Sequence, residues 1–160
     1  MDLIVAVDEK WGIGKDGTQP NALSADRKFF REATKGAMVI VGRKTLADFP
    51  GGKPLPNRVN VVVSRTTSHI EGCTVVDSLE KAISLFRKEE EIFIIGGAQI
   101  YAQAMPLADK FYLTVVEHSY EGDTSFPAWD ESEWHLISEE RFECGEKYPY
   151  PFSFREYERI

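Results

Sequence analysis

The chain has 160 residues, of which 42% are apolar, 12% aromatic and 28% charged, which is the size and balance of a single globular domain, 1–160. A net charge of −7 argues against nucleic acid or an anionic membrane as a partner of the whole surface. No apolar stretch approaches the roughly 20 residues of a membrane span. The start, Met1 to Val7, lacks the basic segment of an export signal, and Cys73 and Cys144 have neither zinc nor disulfide-scaffold spacing, so a cytoplasmic protein with free thiols is expected.

In chain order, residues 2–8 alternate around a β-branched centre and predict a strand, and similar runs at 37–41, 59–64, 73–76, 92–95 and 111–117 predict five more. Segments 134–142 and 152–158 predict a C-terminal antiparallel pair joined through Gly145 and the Pro149 to Pro151 stretch. Ser24 is placed to cap a helix with Ala25, Phe29, Phe30 and Ala33 at helical spacing, ended by Lys35-Gly36. Asp77, with Glu80 three residues on, forms a capping-box pattern ahead of Leu79, Ala82, Ile83 and Phe86. Another helix starts after Gly96-Gly97, carries Ile100 and Tyr101, and stops at Pro106. The alternation implies an α/β fold: a mostly parallel sheet covered on both faces, with an antiparallel C-terminal edge. Residues 9–23, rich in glycine and without regular periodicity, predict a functional lid.

Charge is segregated. Between Lys10 and Arg65 eleven Lys and Arg face four acids, a surplus of +7, which leaves eight basic against 22 acidic residues, or −14, elsewhere. A cationic sector on an acidic protein suits an anionic ligand. Its basic residues also fall at strand ends. Gly42-Arg43-Lys44-Thr45 and Gly96-Gly97 each follow an apolar strand and precede a helix, and Ser64-Arg65-Thr66 ends a third strand. Such turns let phosphates approach backbone N–H groups, and three of them suggest a ligand with more than one phosphate.

His69, His118 and His135 are far apart and unpaired with other ligands at helical spacing, so no metal is expected. No nucleophile elbow or P-loop is present. Asp26 stands in the first turn of a helix that otherwise presents Phe29 and Phe30. A surface acid favoured by the helix dipole and a carboxylate facing an apolar cleft both fit that position. In the second case the carboxylate suits a ligand offering two adjacent N–H donors.

The order of these motifs along the whole chain resembles the dihydrofolate reductase family. The resemblance is carried by Leu3-Ile4-Val5-Ala6, Trp11-Gly12-Ile13-Gly14, the Asp26 to Phe30 helix start, Val41-Gly42-Arg43-Lys44-Thr45, Pro54-Leu55-Pro56-Asn57-Arg58, Val61-Val62-Val63-Ser64-Arg65, Ile95-Gly96-Gly97-Ala98-Gln99-Ile100-Tyr101 and Glu121-Gly122-Asp123-Thr124-Ser125-Phe126-Pro127. It implies an eight-stranded, mostly parallel sheet with four helices, and NADPH-dependent reduction of 7,8-dihydrofolate. It also implies that antifolates bind and that the working unit is a monomer. By position, Asp26 matches the pterin-binding carboxylate and Thr114 its hydrogen-bonding threonine. Ile4, Val5, Ala6, Phe30, Leu55, Ile95 and Tyr101 match substrate positions, and Arg58 matches the arginine that grips the glutamate α-carboxylate. Ala6, Ile13, Gly14, Gly42, Arg43, Lys44, Thr45, Ser64, Arg65, Thr66, Ile95, Gly96, Gly97, Ala98, Gln99, Ile100 and Tyr101 match the cofactor site, with a cis peptide implied at Gly96-Gly97.

Two positions depart from the family. Its common Leu-Pro-Trp in the lid is Gln19-Pro20-Asn21 here, and the usually apolar residue after the pocket acid is Arg27, whose stem is placed to cover the p-aminobenzoyl ring or whose head is placed to reach the glutamate tail. These changes bear on rate and inhibitor affinity more than on the reaction. A related riboflavin-pathway reductase and a non-catalytic binding paralogue stay open beside the reductase. The Asp26 helix and the Pro54 to Arg58 segment favour folate.

Overall fold

The structure, a computed structural model, describes residues 1–14, 24–47, 49, 52–85, 91–119, 124–144 and 150–160. Among these, eight strands form one sheet: β1 (Asp2–Asp8), β3 (Met38–Gly42), β4 (Val59–Val63), β5 (Thr74–Val76), β6 (Ile92–Ile94), β7 (Lys110–Val116), β9 (Trp134–Phe142) and β10 (Phe152–Arg159). Their order is β5-β4-β3-β6-β1-β7-β10-β9, parallel as far as β7 and antiparallel across β7-β10-β9. A two-stranded sheet pairs β2 (Gly12–Gly14) with β8 (Thr124–Ser125). The helices are α1 (Ser24–Thr34), α2 (Arg43–Ala47), α3 (Leu79–Ser84) and α4 (Ala98–Ala104).

The side-chain period of two sorts the strand residues onto two buried faces. Leu3, Val5, Val7, Ile40, Val61 and Ile94 share one core with Leu79 and Ala82 of α3 and with Ile100, Tyr101 and Ala104 of α4. Ile4, Val39, Val41, Val62 and Phe93 share the other with Leu46 of α2, and Phe29, Phe30 and Ala33 of α1 pack against it. Burial on both sides explains the unbroken apolar runs of β3 and β6.

The predicted strands and helices stand within a residue or two of their observed ends, with three differences. The cap of α3 is Ser78, not Asp77: Ser78 is extended, and its hydroxyl accepts from the Lys81 N–H at 3.1 Å. Asp77 instead pairs with Lys81, four residues on, at 2.9 Å. The start of the predicted lid contains β2, which pairs with a segment more than a hundred residues away and too short to register in periodicity. Pro106 does not end the helical path at once, since a 3₁₀ turn, Met105–Leu107, continues α4. The predicted positions Gln19-Pro20-Asn21, Phe86, Gly145, Pro149 and Glu121-Gly122-Asp123 lie outside the described residues.

Candidate active site

All the parallel strands end on one edge of the sheet, and a cleft runs along that edge with a volume of about 850 Å³. Crevices at the carboxyl ends of parallel strands are where α/β sheets bind ligands. The volume is near the top of the ~300–1,000 Å³ usual for small-molecule sites, room enough for two ligands to meet. Its walls come from Ile4, Val5 and Ala6 of β1, from Gly42 to Thr45 beyond β3, from Val63 to Thr66 beyond β4, and from Ile95 to Tyr101 beyond β6. Ile13, Asp26 and Phe30 complete the region close to α1.

Asp26 is 5% exposed. Its position in the first turn of α1 is one where an acid is normally solvated, but here the helix packs its apolar side on the sheet and carries the carboxylate down with it. The Thr114 hydroxyl, reaching across from β7, donates to Asp26 Oδ1 at 2.6 Å. Burial pushes the Asp26 carboxyl up to about 6, and the threonine's hydrogen bond opposes that rise. Beside it, the Tyr101 hydroxyl donates to the Ile4 carbonyl at 2.9 Å, and burial and then the nearby Asp26 charge push this phenol far above its ordinary range. Tyr101 is therefore a neutral pin that holds α4 against β1.

The other end of the cleft is cationic. Arg43 and Lys44 are exposed and have no acidic partner among the described residues, so their charges are available to a ligand. Between the two ends lies a cis peptide, Gly96-Gly97. The Gly96 carbonyl accepts from the Gly42 N–H at 2.8 Å, and a Cβ on Gly97 would lie 2.8 Å from Thr45 Oγ1. Only glycine lets these two strand ends come so close. An apolar, carboxylate-bearing end joined to a glycine-lined, cation-rimmed end fits a planar N–H donor beside a phosphate-rich ligand.

A protein-family model of dihydrofolate reductase matches residues 1–159. This chain belongs to the dihydrofolate reductase family. It is 44% identical over 160 residues to the dihydrofolate reductase of Bacillus subtilis (strain 168), covering 99% of this chain and 94% of the relative. With the dihydrofolate reductase of Staphylococcus haemolyticus it shares 40% identity over 161 residues, 100% of this chain and 96% of the relative. The solved structure of dihydrofolate reductase from Enterococcus faecalis complexed with NADP(H) and RAB-propyl superposes with a TM-score of 0.90 at 34% identity, covering 99% of this chain and 95% of that one.

Within this dihydrofolate reductase fold, four sequence-expected positions among the described residues, Thr114, Leu55, Arg27 and Arg58, are absent from the cleft lining. Thr114 stands behind Asp26, and Leu55 packs on the core shared by Ile4 and Ile95. Arg27 is exposed on α1. Arg58 reaches back to the end of α1, where Nε donates to Thr34 Oγ1 at 2.8 Å, Nη2 to the Arg31 carbonyl at 2.9 Å and Nη1 to the Pro56 carbonyl at 2.5 Å. Conversely, Val63, Asp77, Ser78, Gln103 and Thr124 line the cleft and were not expected. Asp77 and Ser78 follow β5 just as Arg65 follows β4, so the rule of strand ends was enough to find them. Gln103 is one turn beyond Gln99 on α4, whereas Thr124 depends on its pairing with Gly14, which no periodicity signals.

Proposed function

We propose that this dihydrofolate reductase performs the NADPH-dependent reduction of 7,8-dihydrofolate to 5,6,7,8-tetrahydrofolate with Asp26 as the pterin-holding carboxylate and the cationic strand ends as the cofactor clamp. The observation that carries this reading is the buried Asp26–Thr114 pair facing a cleft whose far end is lined by arginine, lysine and glycine. With one oxygen accepting from Thr114, the carboxylate keeps lone pairs for the pterin N3–H and 2-amino group, two adjacent donors. Ile4, Phe30 and Ile95 enclose the ring at the cleft wall, and Val5 and Ala6 close it from β1. Leu55 flanks the p-aminobenzoyl ring from the segment before β4, with the Arg27 stem beside it.

NADPH would be held by Gly42 to Thr45, Ser64 to Thr66 and Gly96 to Tyr101, with Ile13 and Gly14 over it, and it supplies the hydride that reduces C6. The chain's own contribution is positioning and electrostatics. N5 must gain a proton as C6 is reduced. Held against the Asp26 carboxylate, the ring sits in a field that favours protonated N5, and a water at the cleft mouth delivers the proton. Guanidinium has five N–H donors, and three of Arg58's are used, which leaves one on each Nη for a two-pronged grip on the glutamate α-carboxylate.

Antifolates that present two adjacent N–H donors use the same carboxylate. The working unit in this reading is a monomer. Cys73 and Cys144 are free thiols, which supports a reducing, cytoplasmic setting. The test follows NADPH absorbance with the full chain. Oxidation with dihydrofolate but not with a ribosylamino-pyrimidine is expected; no oxidation with dihydrofolate would overturn the reading.

A further inference from the structure

We infer that Asp77 sets how strongly this enzyme prefers NADPH to NADH, by holding a negative charge beside the arginine assigned above to the cofactor clamp, and the inference rests on that assignment. Strands β4 and β5 finish side by side: Val63 pairs with Val76, and the Ser64 N–H donates to the Val76 carbonyl at 2.8 Å. Arg65 and Asp77 therefore follow a shared point of register, and both line the cleft. Apart from Asp26 at the pterin end, Asp77 is the only acid among the described residues that line it.

NADPH and NADH differ only in the 2′-phosphate, a group of nearly two negative charges where NADH has a hydroxyl. Arg43, Lys44 and Arg65 attract that group, and Asp77 opposes it while offering the hydroxyl an acceptor. Its carboxyl is held below the usual carboxylate range by Lys81 first and by the Arg65 charge more weakly, so it is ionised at neutral pH. Lys81, 2.9 Å from Asp77, partly neutralises it and so favours the phosphate indirectly. The Asp77 carboxylate also competes with the phosphate for Arg65. Cofactor choice in this chain is thus a balance of charges at the ends of β4 and β5, with one acid set against the cations.

Titrating NADPH and NADH separately into the full chain, with tryptophan fluorescence as the readout, tests this. Asp77→Asn should tighten NADPH about three- to tenfold, the scale of one exposed charge acting on a doubly charged group, and leave NADH equal or weaker. Lys81→Gln should weaken NADPH, and that loss should vanish in the Asp77→Asn background. Raising salt should shrink both effects. An unchanged NADPH-to-NADH affinity ratio in Asp77→Asn, with Arg65→Ala still losing NADPH selectively, overturns the role of Asp77. Equal losses of both cofactors in Arg65→Ala overturn the phosphate-site assignment itself, and the inference with it.

Discussion

Replacing Asp26 by Asn should make the enzyme more stable and nearly inactive. The carboxyl titrates at 3.8 in the unfolded chain and about 6 in the folded one, because burial penalises the charge. Below about pH 4 it is protonated in both states and costs nothing. Between there and about 6 the unfolded chain releases its proton while the folded one keeps it, so stability falls as pH rises. Above about 6 both are ionised and the whole cost, about 3 kcal/mol at pH 7, is present. Asparagine never ionises. Whatever its amide gains from Thr114 is the same at every pH and cancels in a comparison of two pH values. At about pH 4.5 linkage leaves only ~1 kcal/mol of the cost, so the advantage of Asp26→Asn should be about 2 kcal/mol larger at pH 7 than at pH 4.5. Urea denaturation of both proteins at the two pH values measures this, with the m-value as the check that the states compared are the same. Turnover with dihydrofolate should drop at least about 10²-fold, because the neutral amide neither fixes the pterin nor favours its protonation. A stability difference that does not change with pH would refute the argument, since it would mean that burial does not hold the Asp26 carboxyl above its unfolded value.

Three further substitutions probe neighbouring links. Thr114→Val keeps the shape but removes the donor to Asp26, so the pH at which the stability cost reaches its full value should move up by about one unit, the equivalent of one charge-assisted hydrogen bond, while its onset near pH 4 stays put; an unchanged pH profile would separate Thr114 from the titration. Arg58→Ala should weaken dihydrofolate by about 2–3 kcal/mol and leave NADPH binding intact, and equal loss for an analogue without the glutamate tail would exclude the grip on the carboxylate. The same change should also lower the melting temperature, because it releases the hydrogen bonds to Thr34 and Arg31. Gly97→Ala places a methyl 2.8 Å from Thr45 Oγ1 and should cost about 1–3 kcal/mol of stability. Adding Thr45→Ala should restore most of that by thermal melting, and no recovery would place the strain elsewhere.

The sheet was legible because its signals are local and repeated. Runs such as Met38–Val41 and Ile92–Ile95 are apolar throughout because both faces are covered, and each is followed by glycine, Gly42 or Gly96. The β2–β8 pair was not legible, since three residues pairing with two across the chain leave no pattern. A buried carboxylate helps to hold that corner: Asp8 Oδ1 accepts from the Lys10 and Gly12 N–H groups at 2.9 and 2.7 Å where the chain turns through Trp11, whose φ is 64° and whose carbonyl accepts from the Phe126 N–H at 2.8 Å. A Cβ on Gly12 would stand 2.8 Å from Asp8 Oδ2, so the glycine is required by a partner four residues earlier.

The candidate site was legible unevenly, and the reason is geometric. Cations at strand ends could be found from the residues alone, because a parallel sheet sends every such end to the same edge. Asp26 could not be decided in that way. An acid in a first helical turn is ordinarily solvated, and what buries this one is the packing of Phe29 and Phe30 against β-strands that lie elsewhere in the sequence. Asp77 was read as a cap because Asp and Ser are both good caps and stand next to each other. The extended backbone of Ser78, with φ −150° and ψ 155°, gives the cap to Ser78 and leaves the Asp77 carboxylate over the cleft. A shift of one residue in a helix start thus turns an apparent capping acid into one that lines the cleft, a place that its position at the end of β5 already marked and the capping pattern hid.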